Sequence, residues 1–140
     1  MQNDKRKALI IDDNWTCLTK SEILLKKMFQ CETASNGFEG FLKFCQGLRK
    51  NEPFDLILLD INMPEMNGIH VLEAIREIEG LVKIPHDKEA KIVMVTASDE
   101  SGSIFSSFKK GCESYIVKPY TEQKLFGELE KLGLIDGAKV

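Results

Sequence analysis

The sequence predicts an α/β fold, a doubly wound five-stranded parallel sheet with helices on both faces. Short apolar runs rich in β-branched residues alternate with longer amphipathic segments along the chain. Continuous apolar runs of this length are typical of strands buried on both faces of a parallel sheet. Strand and helix follow one another repeatedly, as the crossover connections of such a sheet require.

The first half of the chain is predicted to contain three strands and two helices. Residues 8–11 form the first strand, which ends at Asp12 and Asp13. The first helix follows, with a loosely spaced apolar side made of Leu18, Leu25, Met28 and Phe29. A weaker run at 31–34 predicts a strand at the sheet edge. An apolar stripe at helical spacing predicts the second helix, and it comprises Phe38, Phe41, Leu42, Cys45 and Leu48.

The third strand, residues 54–59, ends at Asp60 and is long enough to be central. The third helix is predicted from an apolar stripe made of Val71, Leu72, Ile75 and Ile78. The polar segment 79–91, which contains Pro85 and His86, is expected to be an exposed loop with a solvated histidine.

The last two strands are residues 92–95, which end at Thr96, and residues 115–117, which precede Lys118. The helix between them is marked by Ile104, Phe105 and Phe108, and the two phenylalanines are expected in the core. Thr121 is a suitable N-cap for the last helix, whose apolar stripe comprises Leu125, Leu129 and Leu132.

Length and composition indicate one globular domain. We expect a single domain over residues 1–140, with its core at about 7–132 and no output domain. The net charge of -3 offers no basic surplus for direct nucleic-acid binding. The chain contains neither an apolar run approaching the ~20 residues of a membrane span nor a secretory signal. We therefore expect a cytoplasmic protein without membrane insertion, whose four cysteines are small buried thiols.

Polar side chains follow four of the predicted strands, and ligands bind at the carboxyl ends of strands in open parallel sheets. Three carboxylates, from Asp12, Asp13 and Asp60, should therefore meet at one rim. Two unit charges ~4 Å apart repel by roughly 4 kcal/mol at an effective dielectric constant near 20. A Mg²⁺ ion with oxygen ligands offsets this repulsion. We predict these carboxylates and the Asn62 backbone carbonyl as its ligands.

Phosphoryl transfer is the chemistry that this set of residues suits. A carboxylate can act as a nucleophile and form an acyl phosphate, and Asp60 is the best candidate because it follows the central strand. The Lys118 ammonium and the Thr96 hydroxyl would stabilise the transferring oxygens. Ala97 is small enough to leave a phosphoryl group room to enter. The turn-forming residues 64–68 would aim the Asn62 carbonyl at the ion, with the next helix starting at Ile69.

At these residues the sequence resembles the receiver domain of two-component response regulators, in its single-domain form similar to a chemotaxis regulator. The resemblance covers about residues 7–132. Each matching motif is weak alone, but their order and spacing are specific. The motifs are Asp12-Asp13, Leu-Leu-Asp60-Ile-Asn-Met-Pro64 with Asn67-Gly68, Thr96-Ala97, Gly111-Cys112 and Lys118-Pro119.

The resemblance implies a flavodoxin-like fold with strand order 2-1-3-4-5 and a cis Lys118–Pro119 peptide. It also implies that a histidine kinase or a histidine phosphotransfer protein phosphorylates Asp60. Such a protein is a signalling switch and not an enzyme, because it catalyses only its own phosphorylation and dephosphorylation.

The resemblance further assigns residues to the switch. Thr96 and Tyr115 would form the switch pair, which reshapes the face made by helix 4, strand 5 and helix 5 for an unknown downstream protein partner. Ala97 and Pro119 would line the phosphate pocket. Asn62 and Ser98 match positions that tune the lifetime of the acyl phosphate.

Two alternatives remain open from sequence. An aspartyl-phosphate phosphatase of the haloacid dehalogenase type also uses an aspartate nucleophile and Mg²⁺, but its acid/base aspartate is replaced here by Asn62. A docking module that works without phosphorylation is disfavoured by the complete acidic set. Taken singly, Asp12 and Asp13 could cap a helix and Asp60 could open a turn.

Overall fold

Five parallel strands form the central layer of the computed structural model, which describes residues 5–97 and 101–136. Their spatial order is β2-β1-β3-β4-β5, with every pair parallel, so the predicted topology is confirmed. The predicted weak strand, β2, lies at an edge. The strands are β1 Arg6–Ile11, β2 Phe29–Ala34, β3 Leu56–Asp60, β4 Lys91–Thr96 and β5 Ser114–Val117.

Helices cover both faces of the sheet. They are α1 Trp15–Leu25, α2 Gly37–Arg49, α3 Gly68–Leu81, α4 Ser101–Lys109 and α5 Glu122–Lys131, with a short 3₁₀ helix at His86–Lys88. One apolar core lies beneath α2 and α3, and the other lies beneath α1 and α5. Strand β3 contributes Ile57 and Leu59 to the first and Leu56 and Leu58 to the second, which explains its uninterrupted apolar run. No helix in the described ranges combines the length and apolarity needed to cross a bilayer.

Side-chain caps mark where four of the helices begin. Thr121 accepts a hydrogen bond from the Lys124 amide and caps α5, as predicted. Asn14, Asn36 and Asn67 cap α1, α2 and α3 in the same way. Because Asn14 serves as the cap of α1, the carboxylates before it do not fill that role.

The buried side of α2 differs from the predicted stripe. Phe38 and Leu42 are 65% and 44% exposed, whereas Phe44 is buried. A Cβ placed on Gly40 would collide with the side chain of Ile11. The helix therefore approaches the sheet along a glycine-rich side, which an apolar-residue count does not detect.

The prediction that Phe105 and Phe108 belong to the core is wrong, because they are 66% and 45% exposed. Ser107 is the buried side chain at this end of α4, and its hydroxyl donates to the Ser103 carbonyl. A small residue turned inward allows a close approach to the sheet and leaves the phenylalanines outside. Phe108 packs edge-on against Tyr115 at 6.1 Å between ring centroids.

The boundaries at Phe29 and at Glu79 also differ from prediction. Phe29 opens β2 instead of closing α1, since α1 already ends at Leu25. The segment expected to be an exposed loop begins inside α3, where Glu79 is 1% exposed. The Arg76 guanidinium lies 2.6 Å from the Glu79 carboxylate, and this ion pair permits its burial. His86 is exposed, as predicted.

Candidate functional site

The carboxyl ends of β1, β3 and β5 bring the predicted charged groups together at one rim. The Lys118 ammonium lies 2.9 Å from an Asp12 carboxylate oxygen and 3.6 Å from an Asp60 carboxylate oxygen. Asp12 directly follows β1, Asp60 is the last residue of β3, and Lys118 directly follows β5. The parallel strands of one sheet thus place residues from three distant parts of the chain in one pocket.

The three carboxylates form a compact cluster. Asp12, Asp13 and Asp60 each offer one oxygen, and these oxygens lie within 4.8 Å of one another. Asp12 and Asp60 are 5% and 4% exposed, whereas Asp13 is exposed. The cluster is therefore buried on the strand side and open to solvent at Asp13.

Burial and the neighbouring Asp12 charge raise the pKa of Asp60 to about 7. The Lys118 ammonium and a hydrogen bond from the Asn62 amide, 3.2 Å from the Asp60 carboxylate, act in the opposite direction. Burial disfavours the Lys118 ammonium, but its hydrogen bond to Asp12 and the nearby carboxylates raise the pKa of Lys118 above its usual range. Within the described residues of this cluster, one ammonium faces three carboxylates, so the donor set fits an additional hard cation.

A tight loop holds the region after Asp60. The Gly68 amide donates to the Ile61 carbonyl at 2.8 Å, and a Cβ on Gly68 would collide with the Asp60 carbonyl oxygen. Glu65 has a φ of 70°, a left-handed conformation uncommon outside glycine. The loop leaves Asn62 exposed beside the carboxylate cluster. Helix α3 begins at Gly68, one residue before the predicted start.

Three further predicted residues, Thr96, Ala97 and Pro119, lie at the carboxyl ends of β4 and β5. Thr96 is buried at the end of β4, opposite Val117 of β5. The Lys118–Pro119 peptide is cis, as the resemblance implied. Ala97 and Pro119 line a cavity of about 370 Å³ that also reaches Lys118. Ser98 lies outside the described residues.

Tyr115 lies away from the rim. It pairs with Met94 in the ladder between β4 and β5, two residues before Thr96 along β4. Its ring is half-buried and contacts the exposed Phe108. Tyr115 therefore belongs to the surface formed by α4, β5 and α5 and not to the carboxylate pocket.

Tyr120 and Lys20 were not predicted to lie near the site. Both line the cavity beside Lys118. The Lys20 ammonium donates to the Tyr120 carbonyl at 2.6 Å, and the buried Tyr120 hydroxyl bonds to Ser21. These contacts tie α1 to the segment after β5. The sequence carries no motif for them, because the partners are about 100 residues apart.

Comparisons with known proteins identify the family. The family model described as the response regulator receiver domain matches residues 8–130. Chemotaxis protein CheY of Listeria monocytogenes is 34% identical in an alignment of 127 residues that covers 89% of this chain and 96% of that protein. Hybrid signal transduction histidine kinase G of Dictyostelium discoideum is 36% identical in an alignment of 132 residues that covers 92% of this chain and 4% of the kinase. Four of the curated relatives are longer proteins, and the chain spans between 4% and 55% of their own length.

Solved structures give the same result. The CheX-CheY-BeF3-Mg+2 complex from Borrelia burgdorferi has a chain with a TM-score of 0.76 and 27% identity, covering 93% of this chain and 90% of that one. A CheY-like receiver domain protein from Methanospirillum hungatei has a TM-score of 0.76 and 26% identity, covering 92% and 94%. The chain therefore belongs to the response regulator receiver domain family.

Proposed function

We propose that this chain is a phosphoryl-accepting switch of a two-component or phosphorelay pathway, with Asp60 as the acceptor. The observation that carries the proposal is the position of the Asp60 carboxylate, 3.6 Å from the Lys118 ammonium and clustered with Asp12 and Asp13. An acceptor aspartate needs positive charge at the oxygens that arrive with the phosphoryl group. This pocket offers one fixed ammonium and a donor set for a cation.

The reaction requires little covalent chemistry from the protein. An Asp60 carboxylate oxygen bonds to phosphorus while the phosphorus–nitrogen bond of a phosphohistidine donor breaks, and the imidazole keeps that electron pair. Lys118 would bind an oxygen of the transferred group, and the Thr96 hydroxyl would donate to another. Because Asp60 reacts as a carboxylate, positive charge that lowers its raised pKa also favours the reaction.

Mg²⁺ is the cation that we assign to the acidic cluster. Asp12, Asp13, Asp60 and the Asn62 backbone carbonyl would hold it, since an exposed Asp13 leaves an open side for water ligands. When bound, it supplies positive charge to the oxygens of the transferring phosphoryl group. The excess of carboxylates over ammonium groups in the cluster supports this assignment.

We assign the output to the surface formed by α4, β5 and α5. On phosphorylation, Thr96 would turn toward the new phosphoryl group and Tyr115 would move inward. The contact between Tyr115 and the exposed Phe108 supports a coupled rearrangement, because a change at one ring repacks the other. A histidine kinase or phosphotransfer protein would act as donor, and a downstream protein would recognise the altered surface.

The neighbouring residues are assigned supporting roles. Ala97 and Pro119 would form walls of the phosphate pocket, while Asn62 and Ser98 would tune how long the acyl phosphate lasts. Asn62 follows Asp60 by two residues, where a phosphatase of the haloacid dehalogenase type needs an acid/base aspartate. Its amide cannot exchange protons in that way, which favours a switch that turns over only its own phosphoryl group.

Labelling with acetyl phosphate tests the acceptor. The unmodified chain should gain the mass of one phosphoryl group in the presence of Mg²⁺, and Asp60→Asn should abolish the gain. Asp87→Asn is the control, because Asp87 is an exposed aspartate in the 3₁₀ helix. Labelling that survives in Asp60→Asn, with Asp87→Asn behaving like the unmodified chain, would assign the acceptor to another residue.

A further inference from the structure

A separate cavity lies at the opposite end of the sheet from Asp60. It has a volume of about 530 Å³ and sits between the C-terminal ends of α2 and α3, next to the segments that enter β3 and β4. Small-molecule sites commonly measure roughly 300–1,000 Å³. Most of its lining is apolar and includes Phe44, Leu48, Phe54, Ile78, Val82 and Ile84.

The ends of α2 and α3 shape this cavity in the same way. Each helix closes with the paired hydrogen bonds of a Schellman motif. The residues that turn the chain are Asn51 and Lys83, with φ values of 60° and 61°. Both turns carry the chain sharply away from its helix axis and leave an apolar groove between the two helices.

Two cationic side chains, Arg49 and Lys88, also line the cavity. Among residues 5–97 and 101–136, neither forms an ion pair or donates a side-chain hydrogen bond. The Arg49 charge lowers the pKa of the Cys45 thiol, which burial raises. Cys45 and Arg49 both line the cavity, so this guanidinium charge acts on a group that faces it.

The acidic residue in the cavity lining, Glu79, does not neutralise the charges of Arg49 and Lys88. The Glu79 side chain is 2% exposed, and both of its carboxylate oxygens accept hydrogen bonds. One accepts from the Arg76 guanidinium at 2.6 Å, and the other accepts from the Ala90 amide at 2.9 Å. Each helix C-terminus adds only about half a negative charge. The two unit charges of Arg49 and Lys88 therefore leave the cavity net positive.

We propose that this cavity binds an amphipathic carboxylate, of the kind represented by a medium-chain fatty acid. The hydrocarbon tail fills the apolar groove, and the carboxylate pairs with Arg49 and Lys88. A guanidinium can bind a carboxylate through two parallel hydrogen bonds, which makes Arg49 the principal contact. The proposal is independent of phosphorylation, because none of these residues lies near Asp60.

Nuclear magnetic resonance titration of the ¹⁵N-labelled chain tests the proposal with three probes of equal tail length. Decanoate, below its micelle concentration, should produce saturable shifts at the Leu48, Ile84 and Ala90 amides. Decanol should bind about tenfold more weakly, the loss expected for a charge-assisted hydrogen bond. Decylamine should bind more weakly still.

Charge variants locate the carboxylate. Arg49→Gln should weaken decanoate binding about tenfold, and Lys88→Gln should weaken it in the same direction. Lys50→Gln is the matched control, because it removes the same charge from the same helix end at a residue outside the lining. All three variants should accept a phosphoryl group from acetyl phosphate as the unmodified chain does.

Alkylation of the cysteines is a second test of where decanoate binds. Decanoate should slow the reaction of Cys45 with iodoacetamide and leave Cys17, which lines the cavity beside Lys118, unaffected. Any one of three results overturns the proposal: no saturable shift at the lining amides, binding of decanol or decylamine as tight as that of decanoate, or equal losses in Arg49→Gln and Lys50→Gln.

Discussion

The Lys118 ammonium lies 2.9 Å from an Asp12 carboxylate oxygen, and it reaches Asp60 from the same position at 3.6 Å. This ammonium therefore already neutralises part of the acidic cluster. In the proposed function, it must serve an arriving phosphoryl group while the metal ion serves the carboxylates. The two cations then compete for Asp12 and cooperate on the phosphoryl oxygens.

Removing the ammonium should separate these two effects. In Lys118→Met, Mg²⁺ should bind severalfold more tightly because a competing positive charge is gone, and beryllofluoride should no longer bind because its fluorines lose a donor. Isothermal titration measures both. Lys20→Met is the control, since the Lys20 ammonium donates to the Tyr120 carbonyl and not to a carboxylate. Weaker Mg²⁺ binding in Lys118→Met would contradict the competition.

Removing the exposed carboxylate should weaken the metal site. Asp13→Ala should lower Mg²⁺ affinity about tenfold or more, because one full ligand charge is lost. The fold should persist, since Asp13 is exposed. Trp15 is the single tryptophan of the chain and lies two residues from Asp13, so its fluorescence can follow the titration. Asp87→Ala should leave the affinity unchanged, and an equal affinity in Asp13→Ala would remove Asp13 from the site.

Two glycines of α3 should respond oppositely to alanine. Gly68→Ala should destabilise the chain by about 2 kcal/mol, because its Cβ would collide with the Asp60 carbonyl oxygen and approach the Ile61 Cα to 2.9 Å. Gly80→Ala should stabilise it by roughly 0.5–1 kcal/mol, because a Cβ there meets open space. Urea denaturation measures both changes. A neutral Gly68→Ala would show that the loop after Asp60 can relax.

Two ion pairs of equal length should contribute differently to the free energy of unfolding. The Arg76–Glu79 and Lys110–Glu73 pairs both measure 2.6 Å, but the Glu79 side chain is 2% exposed and the Glu73 side chain is 48% exposed. Arg76→Met should cost about 3 kcal/mol in urea denaturation, because it leaves the buried Glu79 carboxylate without its ion pair and also removes the partner of Glu113. Lys110→Met should change stability little.

Replacing both partners of the buried pair should recover stability. Burial raises the pKa of Glu79, so its carboxylate depends on Arg76 and on the Ala90 amide to remain charged. Adding Glu79→Met to Arg76→Met should therefore restore part of the unfolding free energy. A double variant less stable than Arg76→Met alone would contradict this account.

Glu128 should make stability depend on pH. A hydrogen bond from the Ser114 hydroxyl, 2.6 Å long, holds the pKa of Glu128 below 4.5, and Lys131 and Lys124 act in the same direction against partial burial. Because the pKa of Glu128 is lower in the folded than in the unfolded chain, the ionised carboxylate stabilises the folded state above pH 4.5. This stabilisation is lost as the pH falls through the folded-state pKa. Glu128→Gln should therefore cost about 1 kcal/mol at neutral pH.

The cost of Glu128→Gln should shrink as the pH falls below 4.5, because the unmodified carboxyl then also takes up a proton. Thermal unfolding at a series of pH values measures this change. Glu130→Gln serves as control, since Glu130 is an exposed residue of α5. A cost that stays constant with pH would show that the charge of Glu128 is not responsible.

The strands and the candidate site could be predicted from the sequence for one physical reason. A strand buried on both faces must be apolar throughout, so its end is visible where the first polar residue appears. Asp12 and Asp60 mark such ends, and Lys118 follows the short apolar run of the edge strand β5. Parallel pairing then brings these ends to one rim. Local rules about strand composition and connection therefore sufficed for the layered parallel sheet and for the acidic pocket, whereas the strand order was predicted from the family resemblance.

The buried sides of the helices were decided by tertiary structure. Helix α2 turns Gly40 toward Ile11, and α4 turns Ser107 inward, so that Phe38 and Phe105 remain outside. How closely a helix approaches a sheet depends on the shapes of residues far away in the chain. The spacing of apolar residues reveals an apolar stripe, but it does not reveal where a glycine without a Cβ lets a helix pack close to the sheet.

The sequence by itself thus determined the layered fold and the groups that meet at the rim, because both follow from local patterns and parallel pairing. Only the tertiary structure placed Arg76 of α3 against Glu113 before β5 and opened the cavity beside Arg49. Those features depend on distances between α2, α3 and the strand entries, and such distances result from the packing of the whole chain.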